Sequence, residues 1–270
     1  MKRNISRVLA FAALTLAAIA ITSCTGKKFH VSGEIANAKD SVLYFENMSL
    51  DGPVTVDSVK LGADGIFDFS QEAPQSPEFY RLRIAGQIIN IAVDSTENIS
   101  VKATYPNMAS QYDVTGSEEC GKIKELSLKQ MDLQARVIAV AQNSYLTEQQ
   151  ANDSIEGLIS RYKQDVKLNY IIKNPAKASS YFALFQTIGN RLLFNPRQNK
   201  DDIKMFAAVA TSWDTYYPNS ERGKNLHNIA IEGMKTVRIV ENEQRGLQIE
   251  ASKVQQTGII DIALQDNRGV

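Results

Sequence analysis

Two cysteines, two histidines and one tryptophan in 270 residues are a sparse outfit for chemistry. The cysteines, Cys24 and Cys120, form no Cys-x-x-Cys, so dithiol redox catalysis has no motif to work from. His30 and His227 stand far apart, with no Cys, His or carboxylate cluster around either. Neither marks a metal site, and neither signals a partner for a nucleophile–base relay. No Gly-x-Ser-x-Gly elbow occurs, which excludes the common serine hydrolase signature. No glycine-rich phosphate loop occurs either; Gly62-Ala-Asp-Gly65 reads as a turn. Basic excess is also missing, since 30 Lys and Arg face 30 Asp and Glu. That balance excludes the basic footprint of a nucleic-acid binder. Finally, the longest apolar run, Val8 to Ile21, falls short of the ~20 residues that span a bilayer.

What is present begins at that run. A basic head of Lys2, Arg3 and Arg7 precedes it, and Ile21-Thr-Ser-Cys24 follows. Basic head, short apolar stretch and small residues at a cut site make an export signal. The closing Cys24 makes the pattern resemble the lipobox of bacterial lipoproteins, in which the first mature residue is a cysteine carrying diacylglycerol. Residues 1–23 are then the signal and residues 24–28 a tether. Removing the signal takes three of the 30 basic residues and no acidic one, leaving 27 against 30 and a net −3. A lipidated Cys24 holds its sulfur in a thioether, so Cys120 remains as the free thiol and no intramolecular disulfide can form. The fold must rely on its core.

Hydrophobic content of 43% with 22% charged residues is that of a globular chain, long enough for two domains. From Phe29 to Gly116 the pattern is β. Val31, Gly33 and Ile35 alternate with polar residues, and Ser41–Asn47, Thr55–Leu61 and Ile66–Phe69 follow. Asp64-Gly65 predicts a tight hairpin into the last of these. Phe79–Ala85 and Gln87–Val93 read as a hairpin about Gly86, and Asn98–Thr104 and Tyr112–Thr115 complete about eight strands. Short strands at that spacing predict an antiparallel sandwich or open barrel over residues 29–117.

After Gly116 the period becomes helical. Ile123, Leu126, Leu133, Val137 and Val140 share one helix face. Thr147-Glu-Gln-Gln150 is a capping box opening a second helix with Ile155, Leu158, Tyr162 and Val166 in register, stopped by Asn174-Pro175. Further helices are expected at about Ser179–Leu193, over residues 200–215 with Phe206, Val209 and Trp213 in register, and from Pro218 to about Glu243. Residues 118–245 thus form an all-α domain, and the fold class is α+β. In residues 246–270, a linker leads to Ile260-Asp-Ile-Ala-Leu264, which alternates as one strand before a turn at Gln265–Gly269.

The β domain opens Phe29-His-Val-Ser-Gly-Glu-Ile-Ala-Asn-Ala-Lys-Asp-Ser-Val-Leu-Tyr44. This stretch resembles the domain of unknown function that precedes thioredoxin-like domains in many lipoproteins of Gram-negative anaerobes. Asn174-Pro175 and Tyr217-Pro-Asn-Ser-Glu-Arg-Gly-Lys224 resemble the helical region of the same family, and Ile260–Val270 is similar to the first strand and turn of its thioredoxin domain. The resemblance implies that this sequence is the targeting and accessory region of a periplasmic thiol–disulfide oxidoreductase. The family's catalytic Cys-x-x-Cys lies beyond Val270, so no catalytic residue carries over, and the chain itself is expected to be no enzyme. The alternative is a stand-alone envelope lipoprotein that binds a peptide, glycan or protein partner. No cofactor and no nucleic acid are expected; the membrane is met through the lipid on Cys24. Thr25 after Cys24 resembles the sorting pattern of outer-membrane cargo, and Thr25-Gly-Lys-Lys28, without an acidic run, resembles proteins facing the periplasm.

The remaining candidate residues have bland explanations. Cys120 follows Glu118-Glu119 near a helix start, where the dipole favours a thiolate able to form a mixed disulfide with a partner and the carboxylates oppose it; a partly buried, inert thiol is expected. Asp51, Asp57, Asp64 and Asp68 lack the spacing of a calcium loop. Trp213, Tyr216 and Tyr217 are compatible with a sugar-stacking platform, but Trp213 has core register. The lipid assignment is tested by substituting Cys24→Ser. Metabolic labelling with palmitate should vanish and the chain should leave the membrane fraction. A chain that stays membrane-bound without label would show that Cys24 is not its anchor.

Overall fold

The computed structural model describes residues 27–257, which divide into two compact units with the boundary between Gly121 and Lys122. The expected export signal, Cys24 as the expected lipidation site and the strand expected at Ile260–Leu264 lie outside the described residues. Lys28, assigned above to the tether, already pairs with Glu72 as the first residue of a strand.

The first unit contains β1 (Lys28–Ala36), β2 (Val42–Ser49), β3 (Gly52–Lys60), β4 (Ile66–Glu72), β5 (Glu78–Ile84), β6 (Gln87–Val93), β7 (Asn98–Thr104) and β8 (Tyr112–Thr115). They form two four-stranded sheets, ordered β4-β1-β7-β8 and β3-β2-β5-β6. All ladders are antiparallel except β1 with β7, which is parallel. Alternating inward residues of both sheets build one core, among them Phe29, Val31, Phe45, Phe69, Leu82, Ile91 and Val101. Rings cross between the sheets. Phe29 lies 6.3 Å from Phe45 and 5.1 Å from Tyr80, and Phe45 stacks on Phe69 at 5.1 Å. Burying each such ring stabilises the unit by roughly 1.5–3 kcal/mol. The expected sandwich is therefore present.

One expectation needs correcting. Asp64-Gly65 does not close a hairpin between β3 and β4, because those strands belong to different sheets. Gly65 adopts φ +66°, and its carbonyl accepts from Ile35 N at 2.9 Å, so the chain leaving the turn is taken up by β1 instead. The turn chemistry was local, whereas the pairing partner is set by the core.

The second unit holds the helices. α1 (Glu118–Ala141) starts before the unit boundary; α2 (Glu148–Val166), α3 (Ala178–Leu184), α4 (Lys200–Tyr216) and α5 (Glu221–Thr257) follow. The Thr147 capping box is present in both directions, with Gln150 N donating to Thr147 Oγ1 at 3.2 Å and Thr147 N to Gln150 Oε1 at 3.0 Å. α2 continues into one π-helical turn, Lys167–Ile171, before Pro175. Tyr181, Phe206 and Trp213 are buried together, and the Tyr181 and Trp213 rings stand 5.0 Å apart. Trp213 is core, as its register predicted, while Tyr216 is exposed.

Two boundaries differ from the sequence reading. The helix expected over Ser179–Leu193 stops at Leu184 and gives way to a small hairpin, β9 (Thr187–Ile188) with β10 (Arg191–Leu192). Gly189 sits at φ +53° in its turn, and Gln130 Nε2 of α1 donates to the Thr187 carbonyl at 2.6 Å. A Gly-Asn turn inside an apolar helix-like run was the missed signal. α5 in turn passes through the residues assigned to a linker and ends at Thr257.

The parallel β1–β7 pair depends on Gly33. At φ +154° a Cβ there would lie 1.8 Å from the Val101 carbonyl oxygen. Gly33→Ala should therefore cost at least about 3 kcal/mol or prevent folding. Gly121→Ala, in α1 with nothing within 4 Å, should instead add up to about 1 kcal/mol. Urea titration of both variants checks this. Equal stabilities would mean that β1 and β7 do not approach as described.

Candidate functional site

The densest charge cluster of the first unit arises from strand register. Glu46 of β2 stands opposite Arg81 of β5, and Tyr44 opposite Arg83, so all four share one face of the sheet. Arg81 Nε donates to Glu46 Oε2 at 2.5 Å, and Arg83 Nη2 donates to Oε1 at 2.7 Å. The Arg83 guanidinium also lies 4.5 Å above the Tyr44 ring. The Glu46 side chain is 5% exposed. Hydrogen bonding from Arg83 is the main cause that holds its carboxyl below the ordinary value of 4.5; burial opposes this, and Arg81 adds to it. Glu46 raises the pKa of Arg83 in return. One carboxylate locked by two arginines is a clamp between strands, neither acid nor base at neutral pH.

The second unit carries a polar cleft beside the start of α4. One part of it, about 390 Å³, is lined by residues including Glu156, Lys163, Phe194, Asn199 and Asp202. An adjoining cavity of about 660 Å³ shares Glu156, Lys163, Asn199 and Asp202 and reaches Arg191 on β10. Local structure explains the arrangement. Asn199 caps α4 by accepting from Asp201 N at 2.9 Å and Asp202 N at 3.1 Å. That places the buried Asp202 carboxylate in the first helical turn, where the dipole favours it. Lys163 Nζ donates to Asp202 Oδ2 at 2.6 Å, Asn195 N donates to the same oxygen at 2.8 Å, and Lys163 Nζ lies 5.2 Å from the Phe194 ring. A cleft of amides and charged side chains, among them Glu156 and Arg191 beside the Lys163–Asp202 pair, can hold a polar ligand by hydrogen bonds.

Cys120 is 1% exposed and belongs to the sandwich core. Its thiol donates to the Ala92 carbonyl, with Sγ 3.2 Å from the oxygen. Burial pushes the thiol up to about 12, despite its place near a helix start. Desolvation has beaten the dipole. The other sequence candidates are scattered. His30 Nδ1 lies 3.9 Å from Asp68, and His227 Nδ1 lies 3.1 Å from Asp214. Asp57 accepts from Ser58 N at 2.7 Å and Asp64 from Ile66 N at 3.3 Å, as turn and strand residues do. Among the described residues no three His, Cys, Asp or Glu gather as metal ligands.

Glu46, Arg81 and Arg83 carry no motif in the sequence. Arginines two apart on a strand share a face, so Arg81 and Arg83 were a legible pair, but the opposing Glu46 was visible only once β2–β5 register was known. Lys163 and Asp202 lie 39 residues apart and gave no signal.

Burial and ionic partners move several titratable groups. Cys120, Arg83 and the tyrosines Tyr112, Tyr162 and Tyr170 are raised, the tyrosines chiefly by burial; Glu46, Asp165 and Asp201 are lowered by cationic partners.

Glu46 yields a pH test. Its folded pKa is depressed, so its contribution is full above the unfolded value near 4.5 and is lost as pH falls through the folded value. Glu46→Gln should lose about 2 kcal/mol at neutral pH, a figure discounted for the partly exposed arginines. The deficit should shrink below pH 4.5 in urea titrations. A deficit unchanged across that window would remove the charge from the explanation.

A family profile described as a domain of unknown function, DUF4369, matches residues 29–120. That interval runs from β1 to Cys120. No curated protein matches the chain.

Proposed function

We propose that this chain is the lipid-anchored, non-catalytic accessory region of a thiol–disulfide oxidoreductase of the bacterial cell envelope, held at the outer membrane and facing the periplasm. The carrying observation is Cys120. A thiol buried in the sandwich core and raised to about 12 has only ~10⁻⁴ of its population as thiolate at pH 8. It is packing, not a redox nucleophile. The opening sequence supports the oxidoreductase connection through its resemblance, and the match over residues 29–120 is to a domain without known chemistry. The role that remains is positional: the lipid on Cys24 fixes the chain at the membrane, and the sandwich and helical unit carry binding surface.

One observation favours the alternative of a stand-alone binding lipoprotein. The cleft around Lys163 and Asp202 is lined by the amides Asn195, Gln198 and Asn199 and by the charged Glu156 and Arg191, a mixed polar lining that suits a peptide or a glycan.

Two measurements test the proposal. The purified chain should reduce insulin no faster than the dithiothreitol background, and turnover abolished by Cys120→Ser would overturn the non-catalytic reading. Sequencing the gene beyond the Val270 codon separates the two functions. An open frame running into a Cys-x-x-Cys stretch supports the oxidoreductase connection. A stop with no such stretch downstream favours the stand-alone binder.

A further inference from the structure

α5 is far longer than the helix it packs on. It has 37 residues, about 55 Å, against 17 residues and about 25 Å for α4. The two run antiparallel from the turn at Tyr217–Ser220. Their contact reaches α4's first residues at Gly233, where an added Cβ would sit 3.2 Å from Ile203 and 2.5 Å from the Pro196 carbonyl. Beyond it the helix continues for more than 20 residues. From Arg238 onward every residue whose side chain is described is exposed, including Ile239 at 58% and Leu247 at 65%.

The sequence of that overhang is patterned. Leu226, Ala230 and Gly233, all buried, follow steps of four and three residues. The same steps continue without a break through Val237, Val240, Gln244, Leu247, Ala251 and Val254. Only Gln244 among those last six is polar, whereas Ile239 and Ile249 are the only aliphatic residues at the other positions from Arg238 to Thr257. This is a heptad repeat, with Val237 and Gln244 at a positions and Leu247 at d. Its first part packs inside the molecule, and the same sequence spacing continues past the end of α4.

We propose that the α5 overhang pairs with the α5 overhang of a second copy of this chain as a parallel, in-register coiled coil. Gln244 selects that partner and that orientation. In a parallel pair a faces a, so the two Gln244 amides meet and bond to each other. In an antiparallel pair a faces d, and the amide would be buried unsatisfied against an aliphatic side chain. A heterologous apolar helix presents the same difficulty. The flanking positions agree, because Glu243 at g of one helix faces Gln248 at e of the other, with no like-charge clash. A lone overhang of this length has little stability of its own in water, since a solvated helix with one apolar stripe lacks the packing that holds most helices.

The test uses the full lipidated chain in non-ionic detergent. Leu247→Cys places a thiol at d, where two parallel helices bring equivalent residues within disulfide reach. Mild oxidation should give an interchain disulfide, whereas Arg245→Cys, at the outward b position, should give at least about tenfold less. Leu247→Glu should abolish the cross-linked dimer that a lysine-reactive reagent traps in the wild type, and its thermal transition should stay unchanged. Efficient cross-linking at 247 over 245 with loss in Leu247→Glu supports the pairing. A monomeric wild type, equal disulfide yields at both positions, or a dimer that survives Leu247→Glu overturns it.

Discussion

The close approach of β1 to β7 is the constraint on which the first unit is built. β1 is one of the two inner strands of its sheet, bonded to β4 on one side and β7 on the other, and its inward residues Phe29, Val31 and Ile35 form one wall of the core. The other wall is set by β2 and β5 through Phe45 and Tyr80. Were Gly33 to carry a side chain, β7 would be pushed off by its own carbonyl contact, and the Val101 and Ile99 positions would leave the core with it. One missing Cβ thus keeps four strands and one face of the sandwich in place.

Register on the outer surface follows from the same packing. Because Phe45 faces in, Glu46 faces out, and the β2–β5 ladder delivers it to Arg81 while Tyr44 meets Arg83. The charge cluster is therefore a by-product of core alternation as much as a feature in its own right. It converts β2–β5 pairing from backbone bonds alone into a cross-strand clamp. The helical unit uses the corresponding device at Lys163, which joins α2 to the first turn of α4 through Asp202, and at Lys129, whose Nζ lies 2.5 Å from Asp165.

Much of this was legible in the sequence, and the failures have a common cause. All eight strands of the sandwich, the capping box at Thr147 and the core register of Phe206, Val209 and Trp213 were visible because period and caps are local properties. Asp64-Gly65 misled because a turn fixes its own backbone and not the sheet that receives the next strand. Gln186–Leu193 misled because an apolar run with a Gly-Asn turn fits a helix as well as a hairpin, and the contact that decides, Gln130 to Thr187, spans 57 residues. Glu46 with its arginines and Lys163 with Asp202 were hidden for the same reason. Each is made by elements that meet only in the folded chain.

Cys120 shows how such a meeting can remove chemistry that sequence position suggests. A helix start beside a free thiol is the setting of many reactive cysteines. Here the helix start is pressed onto the end of the sandwich core, and the sulfur donates to the Ala92 carbonyl with the Ser117 side chain also hydrogen-bonding beside it. That bond can be kept by a serine hydroxyl at the same place, at the modest cost of a more polar atom in an apolar pocket. Cys120→Ser is consequently a chemical substitution more than a structural one. A loss of function in a folded Cys120→Ser chain would have to be credited to the thiol itself, which is why that variant is the sharpest probe of whether burial has silenced it.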